Sequence, residues 1–233
     1  EEGILEQFSG YFELKELDWE YYRKTYQDIH RMDRILKSEG LSPNNFKVGK
    51  QADTLMVFYN LSELEISTIL TRLGYKPPSD LLSKNLHYYL QRTSHGSTLS
   101  RLVHAYLAHQ IDNHQLSWKL YQEALSSDYL DIQGGTTQEG IHLGVMTGTV
   151  LFLYRAYAGL DWSGDILSIN PRLPAGWQEL SFNIKFQDGL YYFTISGNKV
   201  NVKLDGPKGK SIMIHNKLTD LIPGEWAETN LTR

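Results

Sequence analysis

Three short stretches of the chain combine residue types that bind sugars or anions with positions at the start of helices. The first, Lys47–Asp53, places a cation, an amide and a carboxylate before an apolar run. Lys50 and Gln51 can together donate several hydrogen bonds to sugar hydroxyls. An ordinary helix start is the alternative interpretation, because polar residues open most helices and Asp53 can complement the helix dipole.

The second stretch, Thr93–Ser100, brings hydroxyl groups, an imidazole and a glycine amide to the front of another apolar run. The N–H groups of a helix N-terminus, nearby hydroxyls and a protonated His95 would suit an oxyanion. The alternative is that Ser97 or Thr98 simply caps the helix. A single cap needs neither the additional hydroxyls nor the histidine, so the sequence favours an anion site.

The third stretch, Asp131–His142, is a loop rich in glycine and hydroxyls that leads into a helix predicted to begin near Gln138. The spacing of three places Glu139 and His142 on one face of that helix. Such a pair supplies only two metal ligands and no second motif matches it, so we predict no metal site. Glu139 could instead be a capping-box acid that reaches back to Thr136.

The elements that would position these residues are helices, from about residue 17 to residue 160. Ser62 and Glu65 have capping-box spacing, and Gly74 is expected to end that helix. Ser79 is expected to cap the next helix. In the helix expected to start near Gln138, three glycines at intervals of four predict the close approach of another backbone or a ligand: Gly140, Gly144 and Gly148.

After Gly159 the apolar period changes from helical spacing to alternation. Turns are expected at 188–189 and 205–207, between alternating runs over 180–186, 191–195, 200–204 and 212–214. The residues from about Ile222 show no period, and we expect them to run over the surface. The sequence therefore predicts two domains, a helical one at residues 1–162 and a small antiparallel sheet at 163–233.

The composition of the chain excludes several classes of function. The formal net charge of −4 without clustered Lys and Arg argues against nucleic acid and acidic lipid as partners, and favours a small-molecule ligand. No cysteine is present, which fits a cytoplasmic protein without disulfides. The most apolar stretch, 141–160, contains His142 and Arg155 and is interrupted by glycines, so it suits a core helix and no membrane role is expected.

Taken together and in this order, the three stretches resemble the late-barrel motifs of glycoside hydrolase family 65, which includes maltose, kojibiose and trehalose phosphorylases. The matching segments are KQADTLM at 50–56, TSHGSTLS at 93–100 and GGTTQEGIHLG at 134–144. ILEQFSGYFEL at 4–14 and INPRLPAGW at 169–177 support them. The resemblance covers roughly residues 1–186.

The resemblance implies a role for each motif. Lys50, Gln51 and Glu139 would contact the glucose whose bond is cleaved, with His142 in support. The second motif is similar to the family's phosphate cradle, and its candidate phosphate ligands are His95, Gly96, Ser97, Thr98 and Ser100. Inorganic phosphate would be the co-substrate, with no other cofactor.

The resemblance also implies a fold: mainly α with a smaller all-β domain, as the end of a six-hairpin (α/α)6 barrel followed by a small antiparallel β-sandwich. The family's general acid is a glutamate in an earlier part of the barrel, so we expect it ahead of Glu1 and assign no catalytic acid here. A part of a barrel exposes apolar helix faces, which would favour a homo-oligomer.

The implied activity is reversible phosphorolysis of an α-glucosidic disaccharide to glucose and β-glucose 1-phosphate, by the protein of which this chain is a part. The sequence leaves the disaccharide open among trehalose, maltose, kojibiose and nigerose. Two alternatives also stay open: a trehalase-like hydrolase of the same family, and a non-catalytic carbohydrate-binding module.

Overall fold

The computed structural model describes residues 3–51, 53–132 and 137–231, and of Glu139 it describes only the backbone. The chain divides into two compact units, Glu1–Thr149 and Val150–Arg233. The first unit is helical and the second is formed mainly by strands. The predicted fold class, a helical domain followed by a small β domain, is confirmed, while the division lies inside a helix rather than at residue 162.

The described part of the helical unit contains eight α-helices and three short 3-10 turns. The helices are α1 (Trp19–Tyr26), α2 (Met32–Ser38), α3 (Leu55–Asn60), α4 (Glu63–Arg72), α5 (Leu81–Leu90), α6 (Thr98–Gln110), α7 (His114–Ser126) and α8 (Leu143–Phe152). The 3-10 turns are Tyr11–Glu13, Pro43–Asn45 and Thr137–Glu139.

Local sequence signals explain where several of these helices begin and end. Helix α4 has the predicted capping box: the Ser62 hydroxyl accepts from the N–H of Glu65, and the Glu65 carboxylate accepts from the N–H of Ser62. Gly74 follows it with a φ of +89°, the left-handed conformation that ends many helices. The expected cap at Ser79 is wrong by one position, because the N-cap of α5 is Asp80, whose side chain makes no capping bond.

Helix α6 forms the centre of the helical unit. Every residue from Ser100 to His109 is buried, and the helix contacts α3, α5 and α7. Because all its faces are covered, polar side chains on α6 must find partners inside the protein. The helix that follows the second motif is therefore a rigid support for that motif.

The third motif does not form the predicted helix start. Helix α8 begins at Leu143 instead of near Gln138, and Gly140 precedes it with a φ of +93°. Glu139 belongs to a separate 3-10 turn, so the prediction that Glu139 and His142 share one helix face is wrong. The left-handed backbone at Gly140 changes the chain direction between them, which explains the failure of a simple helical spacing.

The β unit contains two four-stranded sheets, in the orders β1-β2-β6-β7 and β3-β4-β5-β8. Strands β2 and β6 are parallel, and the other strand pairs are antiparallel. The strands are β1 (Leu160–Asp161), β2 (Ser168–Ile169), β3 (Glu179–Phe186), β4 (Gly189–Ser196), β5 (Lys199–Asp205), β6 (Lys210–Ile214), β7 (Lys217–Leu221) and β8 (Trp226–Asn230).

The predicted alternation and turns account for most of this unit. Strands β4 and β5 alternate between buried and less buried residues, and they supply much of the core: Tyr191, Phe193, Ile195, Val200, Val202 and Leu204. The residues after about Ile222, which we expected to run over the surface, instead form β8, which pairs with β5. A large set of buried apolar side chains therefore stabilises the β unit.

Within the part of the chain that the structure describes, no helix is both long and apolar enough to cross a membrane.

The glycines of α8 make a matched pair for a test of packing. A Cβ at Gly148 would overlap the Leu102 side chain, whereas a Cβ at Gly144 would meet nothing within 4 Å. We therefore expect Gly148→Ala to lower the free energy of unfolding by about 1–3 kcal/mol, because the packed core must shift. Gly144→Ala should raise it by up to about 1 kcal/mol, because alanine favours the helix. Denaturant unfolding of both variants measures this, and equal effects would contradict close packing at Gly148.

Candidate functional site

The first two motifs are joined by their backbones. Gly49 and Thr93 form a parallel bridge, in which the N–H of Gly49 donates to the carbonyl of Arg92 at 2.9 Å. The N–H of Ser94 in turn donates to the carbonyl of Gly49 at 2.9 Å. The segment that carries Lys50 and Gln51 is thus fixed beside the start of the hydroxyl-rich motif, 45 residues further along the chain.

A tight turn at His95 and Gly96 carries the second motif into α6. His95 has a φ of +55°, in the left-handed region that disfavours side chains. A Cβ at Gly96 would overlap the carbonyl oxygen of His30 and lie 3.1 Å from the Cγ of Lys50. The glycine is therefore required by the backbone of His30, and the side chain of Lys50 lies directly against the turn.

The start of α6 differs from an ordinary capped helix. Ser97 occupies the N-cap position, but its side chain makes no capping hydrogen bond. Thr98 is buried, with 6% of its surface exposed, and the Ser97 side chain is partly exposed. The interpretation of Ser97 as a simple side-chain cap is therefore wrong, and both hydroxyls stand at the positive end of a 13-residue helix.

A small pocket connects the two motifs. Its lining residues are Gln51, Met56, Leu99, Ser100, Val103 and His104. Gln51 belongs to the motif predicted to contact sugar and Ser100 to the hydroxyl-rich motif, so the structure brings members of both predicted sets to a common cavity.

Two carboxylates interact with side chains of the first motif. The Gln51 amide donates to the Asp53 carboxylate at 3.0 Å, which uses one of its two N–H bonds. Burial raises the pKa of Asp33, but the hydrogen bond and charge of Arg31 outweigh burial, and the charge of Lys50 adds to this, so that the pKa is lowered. Lys50 is exposed and lies within the electrostatic reach of Asp33.

The electrostatics of His95 overturn one sequence-based expectation. Burial, with smaller contributions from His104, Arg101 and His30, lowers the pKa of His95 to about 2. The imidazole is therefore neutral near pH 7, and the expectation of a protonated histidine is wrong. Its Nδ1 lies 2.9 Å from the Ser100 hydroxyl, so two predicted phosphate ligands are hydrogen-bonded to each other.

The His104 ring packs against the His95 ring, with 4.8 Å between the two ring centroids. Its Nδ1 lies 2.8 Å from the carbonyl of Ser100, and its buried Nε2 has no hydrogen-bond partner among the described residues. Burial lowers the pKa of His104 to about 4, although the bond to Ser100 opposes this. Both rings next to the pocket are therefore uncharged at neutral pH.

The third motif can be placed only in part. Gln133–Thr136 lie outside the described residues, and so does the side chain of Glu139, so the sugar contact predicted for Glu139 stays a prediction. His142 is described: the Asp128 carboxylate lies 2.7 Å from its Nδ1 and accepts its backbone N–H at 2.8 Å. Asp128 thus fixes the orientation of the His142 imidazole, which sequence reasoning did not anticipate.

Three further residues missed by the sequence analysis surround the turn: His30, Arg101 and Glu123. Arg101 is 2% exposed, and its Nε donates to the Glu123 carboxylate at 2.8 Å. An arginine inside an otherwise apolar helix face was the available signal, because arginine is rarely buried without a partner. His30 and Glu123 carry no such local signal.

Among the residues that the structure describes, no group of three or more His, Cys, Asp or Glu side chains is arranged to hold a metal ion.

Comparison with known proteins identifies the family. Residues 1–151 match the model of the glycosyl hydrolase family 65 central catalytic domain, and residues 160–221 match the model of the glycosyl hydrolase family 65 C-terminal domain. The chain therefore belongs to glycosyl hydrolase family 65, as the three motifs indicated.

Among similar proteins, the trehalose 6-phosphate phosphorylase of Lactococcus lactis is 44% identical over 187 residues, which cover 80% of this chain and 24% of that protein. An uncharacterized glycosyl hydrolase of Mycobacterium tuberculosis is 41% identical over 213 residues, covering 91% of this chain and 16% of its own length. The chain thus spans about a quarter or less of the length of these relatives.

A solved structure from the human microbiome, provisionally named a kojibiose phosphorylase, has a similar fold. It superimposes with a TM-score of 0.72 at 23% sequence identity, over 99% of this chain and 31% of that structure. This likeness supports the assignment of the fold, a helical barrel region followed by a small β domain.

The lowered pKa values predict how stability depends on pH. Folded His104 stays neutral down to about pH 4, whereas the unfolded side chain takes up a proton below about 6.5. The free energy of unfolding should therefore fall as pH decreases from 6.5 to 4, by about 1.4 kcal/mol per pH unit for each such proton. His95 would contribute a second proton in this range.

Denaturant unfolding at several pH values measures this slope. His104→Phe should make the slope shallower than that of the parent protein. Equal slopes for the parent and His104→Phe would show that His104 does not titrate abnormally.

Proposed function

We propose that this chain forms part of an inverting disaccharide phosphorylase, in which it holds the cleaved glucose and the attacking phosphate. The observation that carries the proposal is the convergence of two motifs: the Gly49–Thr93 bridge sets Lys50 and Gln51 beside the His95–Gly96 turn, and Gln51 and Ser100 line one pocket. A sugar and an inorganic anion must meet at bonding distance for phosphorolysis, so adjacent sites are a requirement of the reaction.

The hydrogen-bond donors of the turn suit an anion that needs no activation because it is itself the nucleophile. A hydrolase needs a carboxylate that activates water, whereas phosphate is itself a nucleophile and needs only to be held in line with the anomeric carbon. In the proposed reaction a phosphate oxygen bonds to that carbon while the glycosidic carbon–oxygen bond breaks. The leaving oxygen takes a proton from a general acid that we expect outside this chain, and β-glucose 1-phosphate forms.

The proposed roles follow from the neutrality of His95. With no imidazolium, the anion would be held by the uncapped start of α6, the hydroxyls of Ser97 and Thr98, and the charge of Lys50. Gly96 would offer its amide. Ser100 would act mainly by holding His95, because its hydroxyl already bonds to that ring.

Trehalose 6-phosphate is the substrate that we favour within this class. The support is the 44% identity to the Lactococcus lactis protein of that name, compared with 28% to a kojibiose phosphorylase from Caldanaerobacter subterraneus. A phosphorylated disaccharide would carry a second anionic group, so cations near the site would contribute to its selection.

Product analysis of the intact enzyme tests the proposal. We expect trehalose 6-phosphate to give glucose 6-phosphate and β-glucose 1-phosphate only when inorganic phosphate is present. It should be consumed faster than trehalose, maltose, kojibiose or nigerose. Equal release of sugar without phosphate would instead identify a hydrolase. A faster reaction with a non-phosphorylated disaccharide would reject trehalose 6-phosphate and leave phosphorolysis intact.

The Thr98 hydroxyl provides a direct test of the anion site. Thr98→Val should raise the KM for phosphate about 10- to 100-fold, because a hydrogen bond to a charged group contributes about 1.5–3 kcal/mol. The KM for the disaccharide should stay nearly unchanged. Steady-state kinetics with each substrate varied in turn measures both constants.

Thr71→Val is the matched control, because Thr71 is exposed on α4 and its hydroxyl donates only to the carbonyl of Ser67. If Thr98→Val affects both KM values equally, the hydroxyl does not act on phosphate specifically.

A further inference from the structure

Arg101 holds the turn of the second motif from inside the helical unit. Its Nη1 donates to the carbonyl of His95 at 2.9 Å, while its Nε donates to Glu123 at 2.8 Å. Its Nη2 lies 3.3 Å from Nε2 and 3.5 Å from Nδ1 of His30, so the guanidinium packs against the imidazole ring. The buried guanidinium thus balances its charge with Glu123, donates to the backbone of the turn and contacts one imidazole.

His30 holds the other side of the same turn. Its Nδ1 lies 3.0 Å from the carbonyl of Ser94, which can only accept, so Nδ1 carries a hydrogen and donates it to that carbonyl. The backbone carbonyl of His30 accepts from the Ser94 hydroxyl at 3.2 Å. The carbonyls of Ser94 and of His95 itself are therefore both held by donors inside the helical unit.

These contacts determine where the turn's amides point. In a trans peptide the C=O and the following N–H point in opposite directions. With the Ser94 carbonyl directed at His30 and the His95 carbonyl directed at Arg101, the N–H groups of His95 and Gly96 point away from those partners. Without the contacts, His95 would be free to leave its unfavourable left-handed conformation.

We propose that Arg101 and His30 are positioning residues that orient the His95 and Gly96 amides toward the phosphate, without contacting it themselves. This inference rests on the proposed function of the turn. Glu123 completes the arrangement, because it neutralises Arg101 and leaves no net charge from that pair to attract the anion directly.

Steady-state kinetics of the intact enzyme tests the positioning role. Arg101→Ala and His30→Ala should each raise the KM for phosphate about 10-fold or more, with the KM for the disaccharide changed less than about twofold. Guanidinium ion should restore the phosphate KM of Arg101→Ala by refilling the site. His30→Asn should retain most of the parent's phosphate KM, since its amide can still donate to the Ser94 carbonyl.

Arg92→Ala is the matched control for loss of a largely buried arginine. Arg92 binds Glu16 at 3.0 Å and lies over the Tyr88 ring, and its backbone carbonyl, which accepts from Gly49, is retained in the variant. It should lower the melting temperature without raising the phosphate KM. If Arg101→Ala does not fold, Arg101→Lys and His30→Ala carry the same test.

The outcomes separate this inference from the proposed function. If Thr98→Val raises the phosphate KM but the Arg101 and His30 variants alter only stability, the positioning role is wrong and the anion site stands. A rise in both KM values by the same factor would also overturn positioning, because it indicates a general loss of structure. If the reaction shows no phosphate dependence in the parent enzyme, the proposed function itself fails.

Discussion

The left-handed conformation of His95 is the constraint on which the described site depends. A residue with a side chain adopts it at a cost, and the surrounding contacts must exceed that cost. Arg101 supplies the decisive contact, but only while Glu123 balances its charge, since an unpaired buried cation would cost several kcal/mol. The local shape of the turn is thus determined by an ion pair that joins α6 to α7.

The same burial that stabilises the turn determines its electrostatic character. His95 and His104 are held neutral beside the pocket, so the proposed anion would be bound through hydrogen-bond donors and a helix terminus more than through imidazolium charge. Lys50 supplies a formal positive charge at the turn, and the negative charge of the nearby Asp33 partly offsets it. Such a site suits an anion that must be held firmly in position and still react.

The sequence predicted those features that depend on local pattern. The capping box of α4, the alternation in β4 and β5, and the three motifs in their order were readable because each involves residues close in the chain. The start of α8 was misjudged because glycine at 140 adopts a left-handed conformation that spacing does not reveal. Strand β8 was missed because small and polar residues face inward there: Ala227 and Thr229.

Long-range contacts and burial could not be predicted from the local sequence pattern. His30 and Arg101 are 71 residues apart, and no sequence pattern in either segment indicates that the two side chains are in contact. The charge state of His95 follows from desolvation by elements distant in the chain, so a charged imidazole was the natural but incorrect expectation from its neighbours alone. The sequence could therefore identify candidate ligands, but not the residues that orient them.

The bridge between Gly49 and Thr93 is formed by main-chain groups, and one side chain adds to it, because the Ser94 hydroxyl also donates to the Gly49 carbonyl at 3.3 Å. Its geometry therefore does not depend on the side chains of Lys50 and Gln51, provided that both backbones keep their path. Relatives could therefore exchange the residues that select a sugar while the spacing between the two motifs stays constant. A main-chain bridge of this kind would allow substrate preference to diverge while the distance between the sugar and the anion stays the same.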